Sequence, residues 1–245
     1  MKKRIWELDA LRGVCILGVV IVHLIFDLVD LYGIVKWDYP HWFAFVMDWG
    51  GVIFLLLSGI CVTLGSHSFR RGIIVFACGM VCTAVTYGMT KLDFDPSIII
   101  YFGVLHCLGT CMLLWSTYQN MPWWGLLLHG VILAALGLYL DKLIMGYELY
   151  TTSRWLMPLG LYWRGFASSD YFPLLPHLGF FLIGAALGKT LYKNKTSLLP
   201  KVNDRNPIVR FFCFCGKHSL WIYLLHQPIL NGICYFVATT FTSGG

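Results

Sequence analysis

Seven apolar runs, each about as long as a bilayer is thick, limit what this chain can fold into. They lie near Leu11–Leu31, Trp42–Leu64, Gly72–Thr90, Ile98–Tyr118, Pro122–Ile144, Phe172–Tyr192 and Ser219–Phe241. Backbone groups in lipid must bond within their own segment or within a closed barrel. Barrel strands would read as short alternating segments, whereas these runs are continuous, so helices are expected. The predicted fold is an all-α, polytopic membrane helical bundle of about seven transmembrane helices. Only 12% of the residues are charged, about half the usual ~25%. No polar stretch is long enough for a separate soluble domain, so residues 1–245 are expected to form one integral membrane domain. A soluble enzyme, a disordered chain and a disulfide scaffold are excluded on the same ground.

Lysine and arginine placement gives an expected orientation. With the N-terminus inside, the inner side receives Lys2, Lys3, Arg4, Arg70, Arg71, Lys189, Lys193, Lys195, Lys201, Arg205, Arg210 and Lys217, with Arg12 at a helix end. The outer side receives Lys36, Lys91, Lys142, Arg154 and Arg164. The N-terminus is therefore expected in the cytoplasm and the C-terminus outside. Lys2, Lys3 and Arg4 resemble the start of a signal peptide, but Arg12, His23, Asp27 and Asp30 interrupt the pattern and no A-x-A site follows, so a retained helix is expected. The net charge of +6 is not concentrated in a basic stripe, and no nucleic-acid partner is expected. The nine cysteines sit mostly in apolar runs, where cysteine behaves as a small hydrophobe. The segment Asn206–Cys215 is short and apolar and is expected along the inner interface. The stretch from Lys142 to Asp170 carries Trp155, Tyr162 and Trp163 and suits a lid over the outer mouth.

Ionisable residues inside spans are costly and suggest function. His23, Asp27 and Asp30 fall at i, i+4 and i+7, which places them on one face of the first helix. A carboxylate one turn from an imidazole can orient it as a general base, or the pair can simply bridge helices. His106 lies in the outer half of the fourth span, and His226 and Gln227 stand before Pro228, whose missing N–H frees a carbonyl one turn earlier. His106 and His226 are expected to line a pocket. His41 sits near the outer interface. No spacing supports a metal site, and no metal is expected. Arg12 stands beside Glu7 and Asp9 and can pair with either or meet a phosphate. Arg70 and Arg71 belong to the inner basic rim. Ser58-Gly59 suits a close helix approach, with Ser58 also a candidate for contact with substrate.

Several short motifs stand in order along the chain. They are Arg4-Ile5-Trp6-Glu7-Leu8-Asp9-Ala10-Leu11-Arg12-Gly13, Val22 through Leu28, Phe54-Leu55-Leu56-Leu57-Ser58-Gly59, Phe102-Gly103-Val104-Leu105-His106, Asp170 through Pro176, and Ser219 through Pro228. Together they resemble the heparan-alpha-glucosaminide N-acetyltransferase catalytic-domain family, most closely its short bacterial members. The resemblance implies a transmembrane acyltransferase. The lysosomal member takes acetyl from cytosolic acetyl-CoA and gives it to a glucosamine amine across the membrane. By this resemblance the donor is acetyl-CoA, and the acceptor is a glycan or another small molecule of the cell envelope. The lysosomal enzyme has an asparagine where His23 aligns, and its catalytic histidine lies in the first outer loop. His41 lies in the equivalent loop here, at a different spacing. The His23-x-x-x-Asp27 match is characteristic of the bacterial branch and favours His23.

The expected catalytic set is thus His23, Asp27 and His41. Arg12, Ser58, Arg70, Arg71, His106, His226 and Gln227 are the expected substrate-binding set. Two other readings stay open. One is an envelope O-acyltransferase. The other is a proton-coupled transporter, since aligned His and Asp residues also form proton relays. No repeat relates the two halves, which weighs against the transporter. The acceptor is left open, as is the assembly, a homodimer included.

Overall fold

The protein is described by a computed structural model covering residues 5–92, 94–146, 149–202 and 206–241. The positive residues Lys2, Lys3, Arg4 and Arg205 lie outside the described residues. The long helices are α1 (Trp6–Phe26), α2 (His41–Leu64), α3 (Ser68–Thr90), α4 (Val104–Tyr118), α5 (Trp123–Met145), α6 (Leu174–Leu191), α7 (Pro207–Lys217) and α8 (Ser219–Phe241). Among the described residues there is no strand, only a single bridge between Phe102 and Tyr171. Six of the helices are long and apolar enough to span a membrane, and α4 is a shorter apolar helix. The all-α membrane bundle expected from the seven runs is the fold observed.

The fourth span differs from its sequence window. Helix begins at Val104 rather than Ile98, because residues 96–103 are taken up by a 3-10 turn and by the bridge to Tyr171. Fifteen residues reach only about 22 Å, short of a ~30 Å hydrocarbon core. The irregular stretch ahead of the helix is shielded by protein, with Ile99 and Phe102 buried.

The chain divides into two compact units, Met1–Phe54 with Ser197–Gly245, and Leu55–Thr196. The first unit is built on α1, α7 and α8. Gly13 of α1 lies against the Phe212 carbonyl, and Gly216 of α7 against the Asp9 carbonyl, so closely that a Cβ at either position would overlap the facing backbone. Small residues permit such approach where no hydrophobic force drives helices together. Cys213 donates to the Trp6 carbonyl across the same seam, at 3.3 Å. Buried Glu7 accepts from the Leu198 amide at 2.8 Å. The segment expected to lie along the interface is helix α7, opened by an Asn206 side chain that accepts from Ile208 N at 2.9 Å, with Pro207 at its first position. It buries Cys213, Cys215 and Gly216 and exposes Ile208, Phe211 and Phe214.

The second unit pairs α3 with α4 and α5 with α6. Gly109 lies against the Phe76 backbone, and Gly130 and Gly179 mark the α5–α6 crossing. Gly59 and Gly184 let the second half of α2 meet α6, as the Ser58-Gly59 pair predicts for Gly59. The long connection between α5 and α6 is stitched to residues 98–102. Ser168 Oγ donates to the Ile99 carbonyl (2.9 Å) and Ser169 Oγ to that of Ile98 (2.7 Å). Tyr171 hydroxyl donates to the Met157 carbonyl at 2.6 Å, and burial pushes its phenol above the usual range. Its ring packs with Tyr162 and Phe166.

Candidate functional site

The last turn of α1 does not continue as an α-helix. It widens into a π-helical turn, Asp27–Leu31, closed by the Tyr32 amide donating to the Asp27 carbonyl at 2.9 Å. Wide turns of this kind often occur at functional sites, because they re-aim the side chains that follow. Here the widening separates two acids that a regular helix would hold on one face. Asp27 is fully buried, whereas Asp30 is exposed and accepts from the Tyr39 hydroxyl at 2.5 Å. The predicted three-residue face therefore ends at Asp27.

Helix α8 supplies the other wall. Gln227 places its amide nitrogen 3.3 Å from His23 Nδ1. The rings of His23 and His226 meet edge-on, with centroids 4.9 Å apart. Asp27 and His23 are not joined by a hydrogen bond; the amide of Gln227 stands beside both. Neither Asp27 oxygen finds a well-formed hydrogen bond, and Gln227 Oε1 and His226 Nε2 are likewise buried without one. Further along α8, Asn231 donates to the Gln227 carbonyl (3.1 Å) and accepts from the Tyr32 hydroxyl (3.2 Å). Pro228 lies inside the helix and lacks the donor that would close the preceding turn.

The protons can be assigned from these partners. The Tyr223 carbonyl can only accept, and it lies 2.6 Å from His226 Nδ1. That nitrogen therefore carries the hydrogen, and a neutral His226 presents a bare lone pair at Nε2. His23 is the reverse. Its Nδ1 accepts from the Gln227 amide, which leaves the hydrogen on Nε2. One ring of the pair is a base and the other a donor. A buried acceptor without a partner costs roughly 1–3 kcal/mol, a cost natural cores usually avoid. Four such atoms on Asp27, His226 and Gln227 make this the least satisfied polar cluster among the described residues of the unit.

Arg12 lies lower on α1 and donates to Ser219 Oγ at 3.5 Å, with its Nε buried and free of a hydrogen bond. His41 is the first residue of α2 and is exposed, without a hydrogen bond or ring contact to His23. Six of the predicted residues thus belong to the first unit: Arg12, His23, Asp27, His41, His226 and Gln227. Ser58, Arg70, Arg71 and His106 belong to the second. Ser58 is half-buried beside Gly59 in α2, and Arg70 and Arg71 are exposed in the first turn of α3.

His106 is also buried, but it is fully occupied. Its Nδ1 accepts from the Gly103 amide at 3.2 Å and so caps its own helix. Its Nε2 lies 3.3 Å from Thr83 Oγ1, whose own hydrogen goes to the Ile100 carbonyl at 2.6 Å. Asp170 completes the same helix start by accepting from Val104 N at 3.1 Å. Gly79 lies under the imidazole, where any Cβ would crowd Nδ1 at 2.9 Å.

Sequence reasoning does not find Tyr32 or Asn231. Asn231 does follow Gln227 by four residues, a spacing that puts both on one helix face. Nothing in the sequence marks the π-helical turn that brings Tyr32 to them.

These features define a helical membrane protein with a paired-histidine centre between its first and last spans. The chain matches the profile described as heparan-alpha-glucosaminide N-acetyltransferase, catalytic, over residues 4–228, and it belongs to that family. The match ends at Pro228, directly after His226 and Gln227. No curated protein and no solved structure matches the chain. Membership makes this a transmembrane acetyltransferase of a family whose donor is acetyl-CoA.

Proposed function

We propose that the protein moves an acetyl group from cytosolic acetyl-CoA to an amino sugar or another glycan or cell-envelope acceptor on the extracytoplasmic side. The N-terminus is in the cytoplasm, the C-terminus is outside, and residues 1–245 work as one domain. The lysine and arginine bias supports this orientation. The observation that carries the chemistry is the bare, buried Nε2 of His226 on a ring that meets His23 edge-on.

In this reading His226 Nε2 removes the proton from the acceptor amine as its nitrogen attacks the thioester carbonyl. The new C–N bond forms, the C–S bond breaks, and the proton leaves with the CoA thiolate as a thiol. His23 Nε2–H donates to the carbonyl oxygen while negative charge builds there. Asp27, through the Gln227 amide, holds His23 in that tautomer and offsets positive charge that develops on the ring pair. Arg12 binds a donor phosphate, for which a guanidinium is well shaped, with Arg70 and Arg71 on the same proposed side. His41 meets the acceptor at the outer end of α2.

Calorimetry of acetyl-CoA on detergent-purified protein tests the donor. Stabilisation by acetyl-CoA that exceeds that by ATP and weakens in Arg12→Ala is expected. Absence of binding in detergent and in lipid would overturn the reading and favour a proton-coupled carrier.

A further inference from the structure

The second unit holds a cavity that the proposed reaction does not use. Its volume is about 730 Å³, and it opens among the C-terminal ends of α2, α4 and α6 and the start of α5. Three lysines line it, Lys189, Lys193 and Lys195, and no acidic side chain does. Like charges gathered in a concave wall repel one another and concentrate a field that draws in anions.

One of the three ammonium groups is fixed in advance. Lys189 Nζ donates to the carbonyls of Gln119 (2.6 Å) and Met121 (2.7 Å) and lies 5.7 Å from the centre of the Trp115 ring. An ammonium has three donors, so one remains for a ligand. The chain after α6 then turns back on itself. Lys195 has a left-handed backbone (φ 54°), and its amide donates to the Tyr192 carbonyl at 2.9 Å. That turn keeps Lys193 and Lys195 at the same cavity. Trp123, the first residue of α5, also lines the cavity. No side chain caps this terminus, whose first-turn amides are left for an anion. Trp123 is half exposed, so a ring face is open beside the charges.

We propose that this cavity binds the phosphate of a ligand that also carries an organic group. Lys193 and Lys195 neutralise the phosphate, Lys189 orients it, and Trp123 packs against the remainder. The volume is in the range of small-molecule sites, larger than a lone ion requires. Phosphate of this kind has two sources, a soluble nucleotide or the headgroup of an acidic phospholipid. The site stands on the cavity and its charges, and does not depend on the acetyl-transfer reading.

The experiment uses the full chain with Lys193→Ala and Lys195→Ala combined. Both side chains are exposed, so the fold should survive, and an unchanged thermal midpoint confirms it. Adenosine 3′,5′-bisphosphate is titrated into detergent-purified protein. In parallel, native mass spectrometry reads lipid retained from nanodiscs of phosphatidylglycerol or phosphatidylcholine. Loss of about tenfold or more in bisphosphate affinity, restored by Lys193→Arg with Lys195→Arg, identifies a nucleotide site. Unchanged bisphosphate affinity with loss of retained phosphatidylglycerol, but not phosphatidylcholine, identifies a headgroup site. If the double variant changes neither reading, the proposal is overturned.

Discussion

His226 and His106 are both buried histidines in apolar helices, yet their surroundings are opposite. Every hydrogen-bonding position of His106 is filled within its own unit, by Gly103 on one side and Thr83 on the other. His226 has one nitrogen held by the Tyr223 carbonyl and the other left bare, next to a carboxylate and an amide that are also incompletely bonded. A filled buried group contributes order, while an unfilled one stores a capacity to bind or react. The difference separates two residues that look equally functional in sequence. His106 caps and locks α4. His226 keeps one nitrogen unfilled, and it is the residue proposed to act in the transfer.

The largest expected effect is on turnover. His226→Ala should lower acetyl transfer by about a thousandfold, since a positioned base contributes ~10²–10⁴-fold, while acetyl-CoA binding and the thermal midpoint stay close to the parent. A variant that loses only stability would erase the contrast with His106. His106→Ala should do the reverse. It leaves the Gly103 amide unpaired and opens a gap above Gly79, at a cost of about 2–3 kcal/mol. Turnover per folded molecule should persist, as read by activity normalised to a folded fraction from thermal unfolding. If that turnover falls a hundredfold, His106 belongs to the chemistry after all.

Gln227→Leu sharpens the comparison further. It keeps the size but removes the amide that stands between Asp27 and His23. Transfer should fall by about ten- to a hundredfold through kcat, with KM for acetyl-CoA little changed, because the loss is of orientation and not of donor contacts. The smallest effect belongs to the acid that the π-helical turn sends outward. The Tyr39 phenol is pushed up to about 12 by its partial burial, then by its hydrogen bond to Asp30 and the charge of that carboxylate. Its pKa is raised above the unfolded value near ~10, so the neutral form is the one the fold favours. The stabilisation is complete below about pH 10 and is lost as pH rises through 12. Tyr39→Phe should remove one late phenol from the ultraviolet titration and leave transfer at neutral pH unchanged.

Much of this architecture could be read from sequence, and the exceptions have particular causes. The window for α4 is too long because hydropathy does not register that residues 98–102 are held as irregular chain by hydrogen bonds from Ser168 and Ser169, some 70 residues away. His23, Asp27, His226 and Gln227 all stood out as polar residues in apolar runs. Their grouping did not. A regular 3.6-residue period places Asp30 with His23 and Asp27, and one widened turn cancels that alignment. The relation expected between His23 and Asp27 is likewise replaced by a residue from the far end of the chain, since Gln227 comes between them only after α8 packs beside α1. The lysine-lined cavity was invisible because its walls come from four separate helix ends.

What the sequence determined by itself is the solvent and the secondary structure. Long uncharged runs have to be helices in lipid, since a backbone without water must bond to itself, and that argument needs no neighbours. It also determined which polar residues are expensive enough to require a reason. Only the tertiary structure decided which of them are at rest. Hydrogen-bond satisfaction depends on partners that converge from distant positions, and a proton's place on an imidazole depends on which carbonyl or amide arrives beside it.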